Sequence, residues 1–274
     1  VNRYGVICGN GRFPILALEQ ARKLGHHVVA IGVKGEADAS IEPLAERTYW
    51  ITVAQLGKLI DILHSEQLQE VIFAGQVKHV SLFSGLTPDW RLAKLMLSLK
   101  ERNTDALIGG IIAELGKEGI EVRDSTALLK PLLATEGILA GRKPTSEELG
   151  DIRYGRRIAG ALSAFDVGQS VAICERACVA LEAMEGTDAM LRRAATLVNG
   201  RRLTLVKASR RRGHLLFDVP VAGPGTIQVM RETGTTALAV DAGRTLLLDR
   251  SELLEAAAQA GICVAGYAVE GPDA

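Results

Sequence analysis

Glu185 and Asp188 flank a Gly-Thr pair in EGTDAMLRR (185–193), and a helical pattern follows at once. Two carboxylates beside a helix N-terminus can hold Mg²⁺ across a pyrophosphate, because that hard cation takes oxygen ligands. The same residues also read as a plain helix cap, with Thr187 or Asp188 accepting from backbone amides. Further on, VKASRRRGHLLFDVPVAGPGTIQVM (206–230) gathers Lys207, the arginines 210–212, Asp218 and a glycine-proline turn that opens a helix at Thr226. Arginines ahead of a helix N-terminus suit a phosphate or an acidic surface. A run of them is otherwise a solvated face.

The N-terminal half offers two glycine loops. GVICGNGRFP (5–14) ends an apolar run in a turn that feeds a helix. Amides at such a turn form an anion site; a tight turn that binds nothing has the same sequence. Gly9 and Gly11 allow close backbone approach, and Pro14 suits the first helical turn, where its missing N–H is not needed. A dinucleotide site fits poorly, since the third glycine is absent and Lys34 follows the second strand instead of a ribose-binding acid. FAGQVKH (73–79) ends another strand with Gly75, Gln76 and Lys78. Strand carboxyl ends line the crevice of an open α/β sheet, so both loops are expected on one edge. Lys78 reads equally as a phosphate partner or as a surface residue.

The elements that must position these residues are legible from periodicity. YGVIC, HVVAIGV, RTYWIT, EVIFAGQV and IEVRD read as strands between helical stretches at 14–25, 53–67, 89–102 and 104–119. That alternation predicts a parallel, Rossmann-like sheet covered on both faces. Pro144, Thr145 and Ser146, followed by acids, start a helix that runs to about Phe165. Beyond it, GQSVAIC and CVALEAME form a hairpin, and RLTLVKAS, LLFDVP (215–220), TALAVD and TLLLD are further strands. SELLEAAAQAG reads as a helix with a serine cap. The expected organisation is an N-terminal Rossmann-like domain over 1–135 and a C-terminal α/β domain with a mixed sheet over 136–274.

With 274 residues, 47% of them hydrophobic, the chain can bury a large core. Its formal net charge of zero argues against a protein that coats DNA or an anionic membrane. Cys8, Cys174, Cys178 and Cys263 lack metal-site spacing and read as buried reduced thiols. The chain enters a strand almost immediately, so no signal peptide is expected. No stretch approaches the ~18 apolar residues of a membrane span. A soluble cytoplasmic protein follows as the expectation.

Taken in order, GNGRFP, FAGQV, DVGQSV (166–171), LEAMEGTDAMLRR (181–193), FDVPVAGPGTI (217–227) and AGRTLLLDR (242–250) resemble the LpxI-type UDP-2,3-diacylglucosamine pyrophosphatases. The resemblance runs over almost the whole chain with matching spacing. It implies Mg²⁺-dependent hydrolysis of UDP-2,3-diacylglucosamine to UMP and 2,3-diacylglucosamine 1-phosphate, a cytoplasmic-face step of lipid A synthesis. By matching position it assigns Gly9, Gly11, Phe13, Gly75 and Gln76 to the N-terminal side of the substrate. Gln169, Thr187, Lys207, Pro220 and Thr226 fall on the C-terminal side, with Glu185, Asp188 and Asp218 towards the metal. The implied partners are a lipid-linked UDP-sugar, with peripheral contact at the inner membrane, and a homodimer would be unsurprising.

The departures from the family pattern are specific. Gly225 stands where the resemblance places a catalytic aspartate, and Gly213, His214 and Leu216 replace a glutamine, an acid and an arginine. The resemblance therefore allows an impaired enzyme, a hydrolase that uses Asp218, Asp188 or His214 instead, or a non-catalytic binder of UDP-sugar lipids. Acyl chains need apolar surface. Leu132, Leu133, Ile138 and Leu139 offer some near the domain boundary, and they read equally as interdomain core.

Overall fold

The computed structural model describes residues 2–77, 87–100, 104–165, 167–209, 215–217 and 219–269. They divide into two compact units, the first reaching Leu129 and also containing 215–217, the second taking the remainder.

In the first unit the described elements run β1 (Arg3–Cys8), α1 (Phe13–Lys23), β2 (His27–Val33), a 3-10 turn at Ala39–Leu44, β3 (Arg47–Ile51), α2 (Leu56–Ser65), β4 (Glu70–Ala74), α3 (Trp90–Ser98), α4 (Thr104–Lys117) and β5 (Glu121–Val122). The strand order is β3-β2-β1-β4-β5, and every pairing is parallel. β1 and β2 are buried at nearly every position because helices cover both faces. Val29, Ile31 and Val33 share a core with α2, α3 and α4, while the equally buried Val28 and Ala30 point to the opposite face, where α1 packs. Glu66, at the end of α2, ties the sheet together by accepting from Arg3, Arg47 and Tyr49. The Tyr49 hydroxyl, aided by the two guanidiniums, holds this carboxyl below its usual range.

In the second unit the elements run β6 (Gly137–Ala140), α5 (Ser146–Ala164), β7 (Ser170–Cys174), β8 (Ala177–Leu181), α6 (Thr187–Leu197), β9 (Leu203–Lys207), β10 (Val221–Ala222), α7 (Pro224–Glu232), β11 (Thr235–Asp241), β12 (Leu246–Leu247), α8 (Arg250–Gln259) and β13 (Cys263–Tyr267). The main sheet has the order β6-β13-β11-β9-β7-β8; β13, β11 and β9 are parallel, and the other pairings are antiparallel. α6, α7 and α8 contribute Met190, Leu191, Ile227, Met230 and Leu253 to one core. α5 covers the other face, with Ile152 and Ala159 against Val171, Ile173 and Val206. Its start is a capping box: Thr145 Oγ1 accepts from Glu148 N–H, and the Glu148 carboxylate accepts from Thr145 N–H.

Four expectations change. Residues 215–217 form no strand; the carbonyls of Leu215 and Leu216 instead accept from Ser125, within the first unit. The cap of α8 is Asp249 in the left-handed region, not Ser251. β6 and β13 were not anticipated; GILA is too short for periodicity, and CVAGY carries a glycine within its five residues. Gly266 is required by packing, since a Cβ there would stand 2.0 Å from the Thr135 carbonyl oxygen. The hairpin, by contrast, forms as expected. All four cysteines are free, and burial pushes the Cys8 thiol up to about 12. No helix among the described residues is long and apolar enough to cross a membrane.

Candidate functional site

In the first unit the strand order reverses direction between β1 and β4, so the loops that leave these strands occupy the switch point where doubly wound sheets take ligands. Gly9, Gly11, Phe13, Gly75 and Gln76 come together there. The two loops are hydrogen-bonded to each other: Asn10 N–H donates to the Gln76 carbonyl at 2.6 Å, and Gln76 N–H donates to that of Asn10 at 3.2 Å. Gly9 N–H donates to Ala74 O at 2.8 Å.

The glycines are dictated by this contact. A Cβ on Gly9 would lie 2.4 Å from Gln76 O, and one on Gly75, whose φ is +85°, would lie 2.5 Å from Asn10 O. The amides of Gly9, Asn10 and Gln76 are therefore consumed by loop pairing and are not free to cradle an anion. Gly11 and the first turn of α1 lie outside that pairing. Phe13, the first residue of α1, is buried. Lys78 lies outside the described residues.

In the second unit the carboxyl ends of β8, β9 and β11 and the starting end of β7 share one edge, because β7 runs opposite to β8 and β9. α6, α7 and α8 each return the chain from this edge to the next strand, which brings their N-termini to it. Lys207 closes β9 and is only 6% exposed. Its ammonium donates to Thr187 Oγ1 at 2.7 Å, and that hydroxyl in turn donates to Glu182 Oε1 at 2.9 Å. Ser170, in register with Lys207 across β7 and β9, places its hydroxyl 3.2 Å from Thr187 Oγ1. Glu182 Oε2 is buried without a hydrogen-bond partner. Gln169 adjoins the network, its carbonyl accepting from Ala208 N–H at 2.8 Å.

The helix after this network starts differently from the cap expected. Gly186, at φ +81°, is the N-cap of α6, with no side-chain cap bond; Thr187 is the first helical residue and turns its hydroxyl to Lys207. Asp188 follows, exposed. Glu185 accepts from Arg193 at 2.6 Å and from Ala183 N–H at 3.0 Å, and the guanidinium keeps its carboxyl below the usual range. It is thus engaged as a salt-bridge partner. Near α7, Thr226 Oγ1 accepts from Gly223 N–H at 3.3 Å, and the Pro220 carbonyl accepts from Leu246 N–H at 2.9 Å. Gly225, in the first turn of α7, has open space where a side chain would stand. Arg210 to His214 and Asp218 lie outside the described residues.

Sequence reasoning missed Glu182 and Ser170, which complete the Thr187–Lys207 pair. It also missed Asp241, buried at the end of β11, which accepts from the amide and hydroxyl of Ser209 at 2.8 and 3.1 Å. The signal for Glu182 was present in LEAMEGTD, as an acid at a strand end five residues before Thr187. Ser170 gave no signal, because its register against Lys207 is a long-range fact. Of the apolar residues near the boundary, Leu139 packs on the C-terminal core and Leu133 bridges to Leu246, leaving Ile138 as the well-exposed one.

Among the described residues no group of three or more His, Cys, Asp or Glu side chains is placed to hold a metal ion. The orphaned Glu182 Oε2 and the exposed Asp188 are hard oxygen donors beside Thr187. That fits the binding mode in which Mg²⁺ takes one or two carboxylates and completes its sphere with substrate phosphates and water.

Comparison with known proteins bears on both halves. The LpxI N-terminal domain model matches residues 3–132, and the LpxI C-terminal domain model matches residues 135–265. The UDP-2,3-diacylglucosamine pyrophosphatase LpxI of Caulobacter vibrioides is 31% identical over 278 residues, covering 97% of this chain and 98% of that protein. Among solved structures, a UDP-glucose-4-epimerase from Stenotrophomonas maltophila aligns over 53% of this chain and 40% of its own, with 13% identity and a TM-score of 0.28. The biotin carboxylase subunit of pyruvate carboxylase aligns over 66% of this chain and 38% of its own, with 12% identity and a TM-score of 0.29.

Proposed function

This chain belongs to the LpxI family, and from that premise we propose that it hydrolyses the pyrophosphate of UDP-2,3-diacylglucosamine, yielding UMP and 2,3-diacylglucosamine 1-phosphate in lipid A synthesis. Water attacks one phosphorus, a P–O bond forms, and the bridging oxygen leaves with the other phosphate. The observation that carries the reading is the Lys207–Thr187–Glu182 network, set at a sheet edge within the segment that matches the family's C-terminal domain.

Lys207 supplies positive charge in a dry setting, where it offsets phosphate charge more strongly than an exposed lysine would. Glu182 and Ser170 fix the Thr187 hydroxyl so that its oxygen stays turned to the ammonium. The helix N-termini at this edge add the favourable end of their dipoles. Glu182 and Asp188 are the carboxylates we assign to Mg²⁺, which when bound would neutralise charge developing on the diphosphate. The open first turn of α7 at Gly225 lacks the acid expected from the family pattern, and we propose that turnover is slowed as a result.

The test is direct. UMP release is followed after mixing the protein with UDP-2,3-diacylglucosamine and Mg²⁺. Measurable turnover supports the hydrolase reading. Thermal stabilisation by substrate without any product, even at high enzyme concentration, would replace it with a non-catalytic binder.

A further inference from the structure

A second buried cluster stands at the carboxyl ends of β9 and β11, starting two residues along the chain from Lys207. Ser209 is 1% exposed and is bonded through its amide, hydroxyl and carbonyl. The amide and the hydroxyl both donate to Asp241 Oδ2, at 2.8 and 3.1 Å, and the carbonyl accepts from Ser163 Oγ of α5 at 3.3 Å. The Ser209 hydroxyl oxygen also accepts from Arg244 Nε at 3.0 Å. Arg244 is half-buried and closes a turn that begins at Asp241, whose carbonyl accepts from Arg244 N–H at 3.4 Å. The turn is pinned twice more: Ala242 N–H donates to Tyr267 O at 2.9 Å, and Gly243 N–H donates to Ala134 O at 2.7 Å. The serine thus stands between carboxylate and guanidinium. Asp241 takes the hydroxyl proton, which turns the serine lone pairs to Arg244. As a means of holding the fold together, this uses the pair less well than direct contact would. As a means of aiming a guanidinium, it suffices.

We propose that Arg244 is a further binding residue for the diphosphate, with Ser209 and Asp241 as positioning residues that fix its guanidinium. The proposal rests on the pyrophosphatase reading for the identity of the anion; the cluster itself belongs to the second unit whatever the anion is. Nε is committed to Ser209, and the Nη groups of the planar fork have the geometry that two phosphate oxygens require. Lys207 is in register with Val240, and both point to the face of α6, α7 and α8. Asp241, next along β11, alternates to the face of α5, where Ala239 packs. Arg244, tied to Asp241 through Ser209, therefore comes to the strand ends from the other side than Lys207. Open sheets take ligands outside the carboxyl ends of their strands. A diphosphate lying across the ends of β9 and β11 meets one cation from each face.

Phenylglyoxal labelling of the unaltered protein, read by peptide mass spectrometry with UDP as the probe, tests this without any substitution. Saturating UDP is expected to slow labelling of Arg244 severalfold and to leave the exposed Arg22 of α1 unchanged. Calorimetry then reads the affinity for UDP. Arg244→Gln is expected to weaken it at least tenfold, as loss of charge-assisted bonds would, with Arg244→Lys recovering part and Ser209→Ala weakening it about threefold. The double variant Ser209→Ala, Arg244→Gln is expected to bind no worse than Arg244→Gln alone, because the serine acts through the arginine. Equal labelling with and without UDP, an Arg244→Gln affinity equal to the parent's, or additive losses in the double variant would each overturn the proposal. Protection of Arg244 without UMP release from UDP-2,3-diacylglucosamine counts against the pyrophosphatase reading alone. UMP release with Arg244 unprotected removes this inference and leaves that reading standing.

Discussion

The ammonium of Lys207 donates to the hydroxyl of Thr187 across 2.7 Å, which joins the last residue of a buried strand to the first residue of a helix. Neither partner holds its place alone. Thr187 is oriented by Glu182, and Ser170 stands opposite Lys207 in the sheet.

Removing the hydroxyl should separate binding chemistry from folding. Thr187→Val keeps the shape but leaves Lys207 without this acceptor, at a cost of about 1–3 kcal/mol in stability. We expect kcat/KM for the UDP-lipid to fall roughly 10–100-fold, with Thr187→Ser recovering most of it. Equal rates in all three proteins would remove Thr187 from the site.

Gly225 invites the reverse experiment. A side chain meets no atom within 4 Å there, and the position lies in the first turn of α7. Gly225→Asp should therefore fold without strain, with a helix-dipole gain of about 0.3–1 kcal/mol. UMP release is expected to rise at least tenfold, on the order of one restored acid-base group. An unchanged rate in a stable variant would show that the chemistry has moved elsewhere.

The start of α5 should govern acid stability. Burial by itself would raise the Glu148 carboxyl, but donation from Arg142, Thr236 and the Thr145 amide outweighs it and holds the group at about 2, against 4.5 when free. A depressed folded-state pKa contributes stability that is complete above 4.5 and fades as pH falls towards 2. Melting temperature should drop across that window, and Glu148→Gln should flatten the drop at the expense of stability near neutrality. Arg142→Ala should cost about 3–5 kcal/mol at neutral pH by stranding a buried carboxylate. Urea midpoints at several pH values check both.

Loop pairing in the first unit makes a steric prediction. Gly9→Ala places a Cβ against the Gln76 carbonyl at 2.4 Å, and Gly75→Ala adds left-handed strain to a similar clash. Each should destabilise by about 2 kcal/mol or more. Gly11→Ala meets open space but keeps φ at +93°, so about 1 kcal/mol is expected. A urea midpoint for Gly9→Ala equal to that of the unaltered protein would contradict the close approach of the two loops.

The sequence by itself determined the alternating elements of the first half, the buried character of β1 and β2, the helix start around Thr145 and Ser146 and the helix that follows EGTD. Each is written in short-range terms: apolar spacing chooses helix or strand, and a cap acts over three residues. Only the tertiary structure decided that Ser170 faces Lys207 and that Gly9 and Gly75 are glycines for each other's loops. It also turned 215–217 from an expected strand into a segment held by Ser125. Register and close approach depend on segments far apart in the chain, and the pairing energy that selects them leaves no local period to read.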